Sequence, residues 1–145
     1  MVFAIVSSPH YSPLALACSL CWLWFHLLQF NIANQSYSVD EDNLNKPWRP
    51  VPSGRISVKH CHAWRWTVAV FCLGLSSLFS FNVFMTSAAL AVFVILHDDF
   101  RLSGHPFFRT LCNVGGYASF ELGATMILCR AFFLRGNNSL TSLLI

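Results

Sequence analysis

The sequence predicts an all-α fold: a polytopic membrane bundle of about four transmembrane helices. Three observations carry that expectation. Hydrophobic residues make up 55% of the 145-residue chain, charged residues only 10%, and the mean hydropathy is +0.55. Soluble domains carry about 25% charged residues, so this chain lacks the polar surface that would cover a compact globule in water. The apolar residues also fall into long charge-free runs, which lipid can surround without penalty. More than half of the fifteen Asp, Glu, Lys and Arg residues are instead crowded between Asp40 and Arg65.

The first run begins behind Pro13, a residue suited to a helix start. Leu14 to Ala33 supplies 20 residues without charge, and at 1.5 Å per residue these reach about 30 Å, one hydrocarbon thickness. A cleaved signal peptide is the rival reading, but the basic leading region expected of one is absent, which favours a retained span. Pro47, Pro50, Pro52 and Gly54 then stop any continuing helix, making residues 34–63 a polar connection. Ser57 offers an N-cap for the next helix. From Trp66 to Leu96 no charge occurs; one straight helix there would reach about 46 Å, too long for a single untilted crossing. Two spans, 64–81 and 83–97, with a turn near Phe81-Asn82 fit better, and Trp64 and Trp66 mark an interface. "HDDFRLSGHPFFR", His97 to Arg109, forms the second polar connection. A fourth span follows over 111–134, interrupted only by Glu121 and Arg130. A carboxyl group at such a depth is expected to face the bundle interior.

Two spans separate the polar connections, so both are expected on one side of the membrane. With Arg65 at the mouth of the second helix, they hold seven of the nine Lys and Arg residues. The positive-inside rule makes that side cytosolic. The sequons at Asn34 and Asn137 would then escape glycosylation.

The six cysteines are scattered, and Cys18 with Cys21 forms a lone CxxC inside an apolar run, where packing is the expected role. His60, Cys61 and His62 are adjacent, so they cannot all face one ion on a helix. Nucleic-acid binding is excluded as a reading, because the basic groups lie between apolar spans without a binding motif. A small channel or carrier has little support, since no ring or repeat of charges is visible.

Continuing the first helix beyond Ala33 places Asn34, Ser38 and Asp42 on one face, with Glu41 close by. Oxygen ligands on successive turns, followed by arginines on a proline-stiffened loop, suit Mg²⁺ with a diphosphate. Magnesium takes carboxylate and amide oxygens together with phosphate oxygens, and arginine pairs with phosphate bidentately.

"NQSYSVDEDNLNKPWRPVPSG", Asn34 to Gly54, resembles the first signature of the UbiA superfamily of intramembrane prenyltransferases, NDxxDxxxD followed by NKPxRPxPSG. Asn34 falls on the motif asparagine and Asp42 on its last aspartate, without a gap. "HPFFRTLCNVGGYASFELGA" resembles the loop and helix that the family carries two spans later. The resemblance covers most of this chain but about half of a typical member, so residues 1–145 read as one partial domain of that fold. It implies an all-helical enzyme that uses Mg²⁺ to draw pyrophosphate from an isoprenyl diphosphate, alkylating an acceptor or, in some relatives, cyclising the allylic cation. It further implies that Asn34 and Asp42 meet the metal, and that Lys46, Arg49 and Arg109 meet the diphosphate, with lipid around the helices. Gln35 and Ser38 replace two motif aspartates, and a second acidic signature does not occur in the chain. A truncated or non-catalytic four-span relative, or a fragment of a membrane terpene cyclase, is the alternative.

Overall fold

A computed structural model describes residues 12–141, with side chains as far as Cys129. Four long helices and one short one account for most of them: α1 Pro13–Tyr37, α2 Val39–Asn45, α3 Val58–Phe79, α4 Phe81–Asp98 and α5 Pro106–Thr141. A single 3₁₀ turn, Leu102–Gly104, sits between α4 and α5, and no strand occurs among the described residues. The all-α class is therefore what is observed.

The helix ends follow from local chemistry. The Ser12 hydroxyl accepts from the Ala15 amide at 3.1 Å, with Pro13 at the first helical position. The Ser57 hydroxyl accepts from the His60 amide to start α3. Ser80 both closes α3 and caps α4, accepting from the Val83 amide, so the turn between these helices is one extended residue. A hydroxyl at that position satisfies amides that would otherwise be orphaned in an apolar medium.

Packing runs round a ring: α1 against α3 and α5, α4 against α3 and α5, with α1 also touching α4. The face that α1 buries is Ala15, Ser19, Trp22, His26, Gln29, Ala33 and Ser36, alternating steps of four and three. Its outward residues include Leu14, Leu20, Trp24 and Leu27. A soluble helix buries its aliphatic side; this one turns small and polar groups inward and leucine outward, as helices in lipid do. Ser19, Trp22, His26 and Ser36 on this face all find partners. Trp22 Nε1 donates to Ser76 Oγ at 2.8 Å, His26 Nδ1 donates to the Trp22 carbonyl at 2.8 Å, and His26 Nε2 meets Ser87 Oγ at 2.7 Å. Small residues permit the close approach: a Cβ on Gly123 would stand 2.3 Å from the Trp22 ring, and one on Gly115 the same distance from Phe93.

By length and composition, α1 and α4 suffice to cross a membrane. They overlap the first and third expected spans. The second is diluted at its start, because α3 opens with Lys59, His60, His62 and Arg65. The fourth is longer than expected, since α5 runs for 36 residues, about 54 Å at the standard rise. The Asn137 sequon and Arg130 lie beyond the described side chains.

Both polar connections meet at one end of the bundle. Arg65 of α3 donates to both carboxylate oxygens of Asp99, just past α4, and to the Tyr37 hydroxyl at 2.8 Å; Tyr37, ending α1, donates in turn to Asp99. Arg65 also stacks over the Tyr37 and Trp66 rings. One guanidinium thus clamps three helix ends.

Candidate functional site

A polar cleft of about 560 Å³ opens at this end of the bundle. Its first wall comes from the end of α1 and from α2: Asn34, Tyr37, Ser38, Asp40 and Glu41. Its second wall comes from the end of α4 and the following turn: His97, Asp98, Arg101, Ser103, Gly104 and Arg109. An apolar cavity of about 190 Å³ lies between α1, α4 and α5, lined by Leu27, Phe30, Leu90, Phe93 and Phe120, with Asn31, Asn113 and Tyr117 as polar exceptions. His97 lines both spaces, so the cleft and the cavity adjoin.

The helix does not continue unbroken from Asn34 to Asp42. Ser38, at φ −94° and ψ 26°, separates α1 from α2. Its amide keeps the helical bond to the Asn34 carbonyl at 3.0 Å, and its hydroxyl, with one hydrogen to give, lies 2.8 Å from that carbonyl and 3.2 Å from Asp42 Oδ2. A regular helix would aim Asp40 away from the motif face. The break changes that, and Asp40 lines the cleft beside Asn34 and Glu41.

Asp42 lies elsewhere. It is buried, and Arg49 Nη1 donates to both its oxygens, at 2.9 and 2.7 Å. Backbone turns carry the chain between the two, from Asp42 O to the Lys46 amide and from Lys46 O to the Arg49 amide. Of the sequence-predicted site residues, the structure brings Asn34 and Arg109 into the cleft, pairs Asp42 with Arg49, and leaves Lys46 half-buried on the connecting turn. Gln35 faces a separate apolar pocket with Leu28, Ile32, Val51 and Trp64.

The second wall supplies residues that sequence reasoning passed over. Arg101 adopts a left-handed backbone, φ 51° and ψ 30°, the only non-glycine to do so among the described residues. That conformation is strained for a residue with a Cβ and recurs where function constrains the chain. Neither Arg101 nor Arg109 makes an ion pair among the described residues; Arg109 Nε donates to the Ser103 carbonyl at 2.7 Å. Asp98 is 6% exposed, and its Oδ1 meets His97 Nδ1 at 2.8 Å. The only available signal was its place in the sequence, an acidic residue ending an apolar run.

Among the described residues, no group of three His, Cys, Asp or Glu side chains converges to hold a metal by itself. His60 is engaged with Ser57 at 2.8 Å, and His62 packs edge-on against Tyr37, so the adjacent histidines serve different contacts. Cys18 and Cys21 are free thiols, the second exposed. The cleft still fits a divalent cation that arrives with phosphate oxygens, since Asn34, Asp40, Glu41 and Asp98 offer oxygen donors in one space. Magnesium is commonly held this way, by one or two carboxylates and the substrate's own phosphates.

Comparison with known proteins identifies a family. The model of the UbiA prenyltransferase family matches residues 1–145. The chain is 27% identical over 124 residues to fumagillin beta-trans-bergamotene synthase of Aspergillus fumigatus, covering 86% of this chain and 42% of that protein. It is 32% identical over 113 residues to digeranylgeranylglyceryl phosphate synthase of Korarchaeum cryptofilum, covering 77% and 37% respectively. A diterpene cyclase of Hericium erinaceus is 44% identical over 48 residues, 33% of this chain and 15% of that one. No solved structure matches. The chain spans less than half the length of each of these relatives. It belongs to the UbiA prenyltransferase family, whose members are integral membrane proteins.

Proposed function

We propose that this member of the UbiA prenyltransferase family holds an isoprenyl diphosphate across the junction of cleft and cavity. The diphosphate lies between Asn34 and the Arg101–Arg109 wall, and the isoprenyl chain enters the apolar space between α1, α4 and α5. The observation that carries this reading is that His97 lines both a polar cleft, whose two arginines make no ion pair among the described residues, and a cavity of aromatic and aliphatic side chains. An amphipathic ligand with an anionic head and a terpenoid tail matches both halves.

Arginine recognises phosphate through paired N–H donors, and a water-poor apolar cavity favours loss of the anion. Magnesium bound with the ligand would neutralise the departing pyrophosphate. The allylic C–O bond breaks with its electron pair leaving on pyrophosphate, and the carbon is then captured by an acceptor or by a double bond of its own chain. The relatives named above include both synthases and a cyclase, so transfer and cyclisation are the two outcomes to separate. Seven basic residues at this end of the bundle support its placement on the cytosolic side, with lipid around α1 and α4.

The test is co-purification of radiolabelled farnesyl or geranylgeranyl diphosphate with the detergent-solubilised protein in Mg²⁺, and Mg²⁺-dependent pyrophosphate release from membranes that contain it. Retention by the wild type and a loss of about tenfold in affinity for Arg109→Ala are expected, because a charge-assisted pair contributes about 1.5–3 kcal/mol. Absence of retention for both donors would overturn the reading.

A further inference from the structure

We infer that Asp98 is a further carboxylate through which the cleft holds the divalent cation of the diphosphate. The inference rests on the ligand placement proposed above and adds a residue to it that lies outside the Asn34–Asp42 stretch.

The fate of each acidic group at this end of the bundle isolates Asp98. Asp42 is saturated by Arg49 and Ser38. Asp99 is saturated by Arg65 and Tyr37. Asp40 and Glu41 line the cleft but are exposed, on a short helix that follows a break. Among the described residues at this end, Asp98 alone combines deep burial with an unmet demand: its Oδ2 is buried and has no hydrogen-bond partner there, while Oδ1 is held by His97. A buried carboxylate oxygen left bare is destabilising by a few kcal/mol, so such an atom normally has a partner. Asp98 is also among the residues that line the cleft, as are Asn34 and Arg101, so the cleft is a space from which such a partner can come. A neighbouring anion alone would repel it. A cation bridging the carboxylate and a diphosphate satisfies both.

The His97 contact has the form of an orienting partner. A ligating carboxylate is commonly fixed by a hydrogen bond to its second oxygen, which leaves one oxygen aimed at the metal. His97 sits where head and tail chambers meet, so the same residue that aims Asp98 also borders the isoprenyl space.

The experiment titrates the full chain in lipid nanodiscs with Mn²⁺ as a paramagnetic probe, with and without inorganic pyrophosphate, and measures metal-free pyrophosphate binding separately. Asp98→Asn is expected to weaken Mn²⁺ binding in the presence of pyrophosphate by tenfold or more, while metal-free pyrophosphate binding stays within about twofold. Asp99→Asn, the same charge change one residue away, is expected to keep the wild-type Mn²⁺ affinity. Wild-type Mn²⁺ affinity in Asp98→Asn would overturn the inference and leave the ligand reading standing. Failure of the wild type to bind pyrophosphate, with or without metal, would overturn both. Should Asp98→Asn not fold, Asp98→Cys decides: a thiolate ligand moves metal preference toward Cd²⁺ over Mn²⁺ relative to wild type, and an unchanged preference would overturn the inference.

Discussion

The two polar connections differ in what their charges are for. In the first, residues 38–57, the aspartate and arginine that stand out in the sequence bind each other across seven positions, Asp42 to Arg49. In the second, between α4 and α5, two adjacent aspartates part company. Asp99 is consumed in a clamp with Arg65 and Tyr37, whereas Asp98, in a cleft also lined by Arg101 and Arg109, keeps a buried oxygen without a hydrogen-bond partner among the described residues. A charge already paired within the fold stabilises geometry. A charge left unpaired in a cleft is free to meet a ligand, and the connection less rich in charge supplies Arg101 and Arg109 to the cleft.

Arg65→Ala should break this comparison most severely. The guanidinium is 3% exposed and its partner carboxylate 26%, so removing it strands a partly buried charge and unties three helix ends. Loss of one partner of a buried pair costs about 3–5 kcal/mol, and Asp99's access to water places the effect near 3. A thermal unfolding midpoint in detergent unchanged from wild type would show that the clamp is not needed.

The clearest separation of the two connections comes from Arg49→Ala set beside Arg101→Gly. Arg49→Ala leaves Asp42 buried and unpaired, with an expected loss of about 2 kcal/mol in stability. Arg101→Gly relieves a left-handed residue, so stability should hold or rise by up to about 1 kcal/mol. Its pyrophosphate affinity should nonetheless fall about tenfold. Unfolding scans and pyrophosphate titrations on both proteins check the pattern; a destabilised Arg101→Gly with intact binding would reverse the roles given to the two loops.

How much of this was legible beforehand depended on whether the cause was local. Pro13 and Ser57 announce helix starts because a cap is satisfied within one turn, and the prolines from Pro47 stop a helix wherever they stand. The turn fell at Ser80, one residue before the expected Phe81-Asn82, because a serine there caps the helix that follows. The site was less legible. A helix carried on past Tyr37 puts Asn34 and Asp42 on one face, but the helix is interrupted at Ser38, and Asp40 lines the cleft while Asp42 pairs with Arg49. Nothing in "HDDFR" says which aspartate Arg65 will take, since that guanidinium reaches across 34 positions. Long-range pairing decided the chemistry.

Acid titration gives the smallest effect and the finest distinction between the neighbouring aspartates. The hydrogen bond from Arg65, assisted by the Tyr37 hydroxyl, holds the Asp99 carboxyl below the ordinary carboxylate value, which is about 3.9 in an unfolded chain. A group whose folded value is depressed contributes stability that is present above the unfolded value and lost as pH falls through the folded one. The wild-type unfolding midpoint should therefore be insensitive to this group at neutral pH and begin to drop below about pH 4. In Asp99→Asn that component of the acid loss should be absent, at the expense of a lower midpoint at pH 7. If both proteins lose the same increment between pH 5 and 3, the clamp is not an ion pair in solution. Asp99 would then be as open to a ligand as its neighbour, and the contrast between the paired and unpaired carboxylates would vanish.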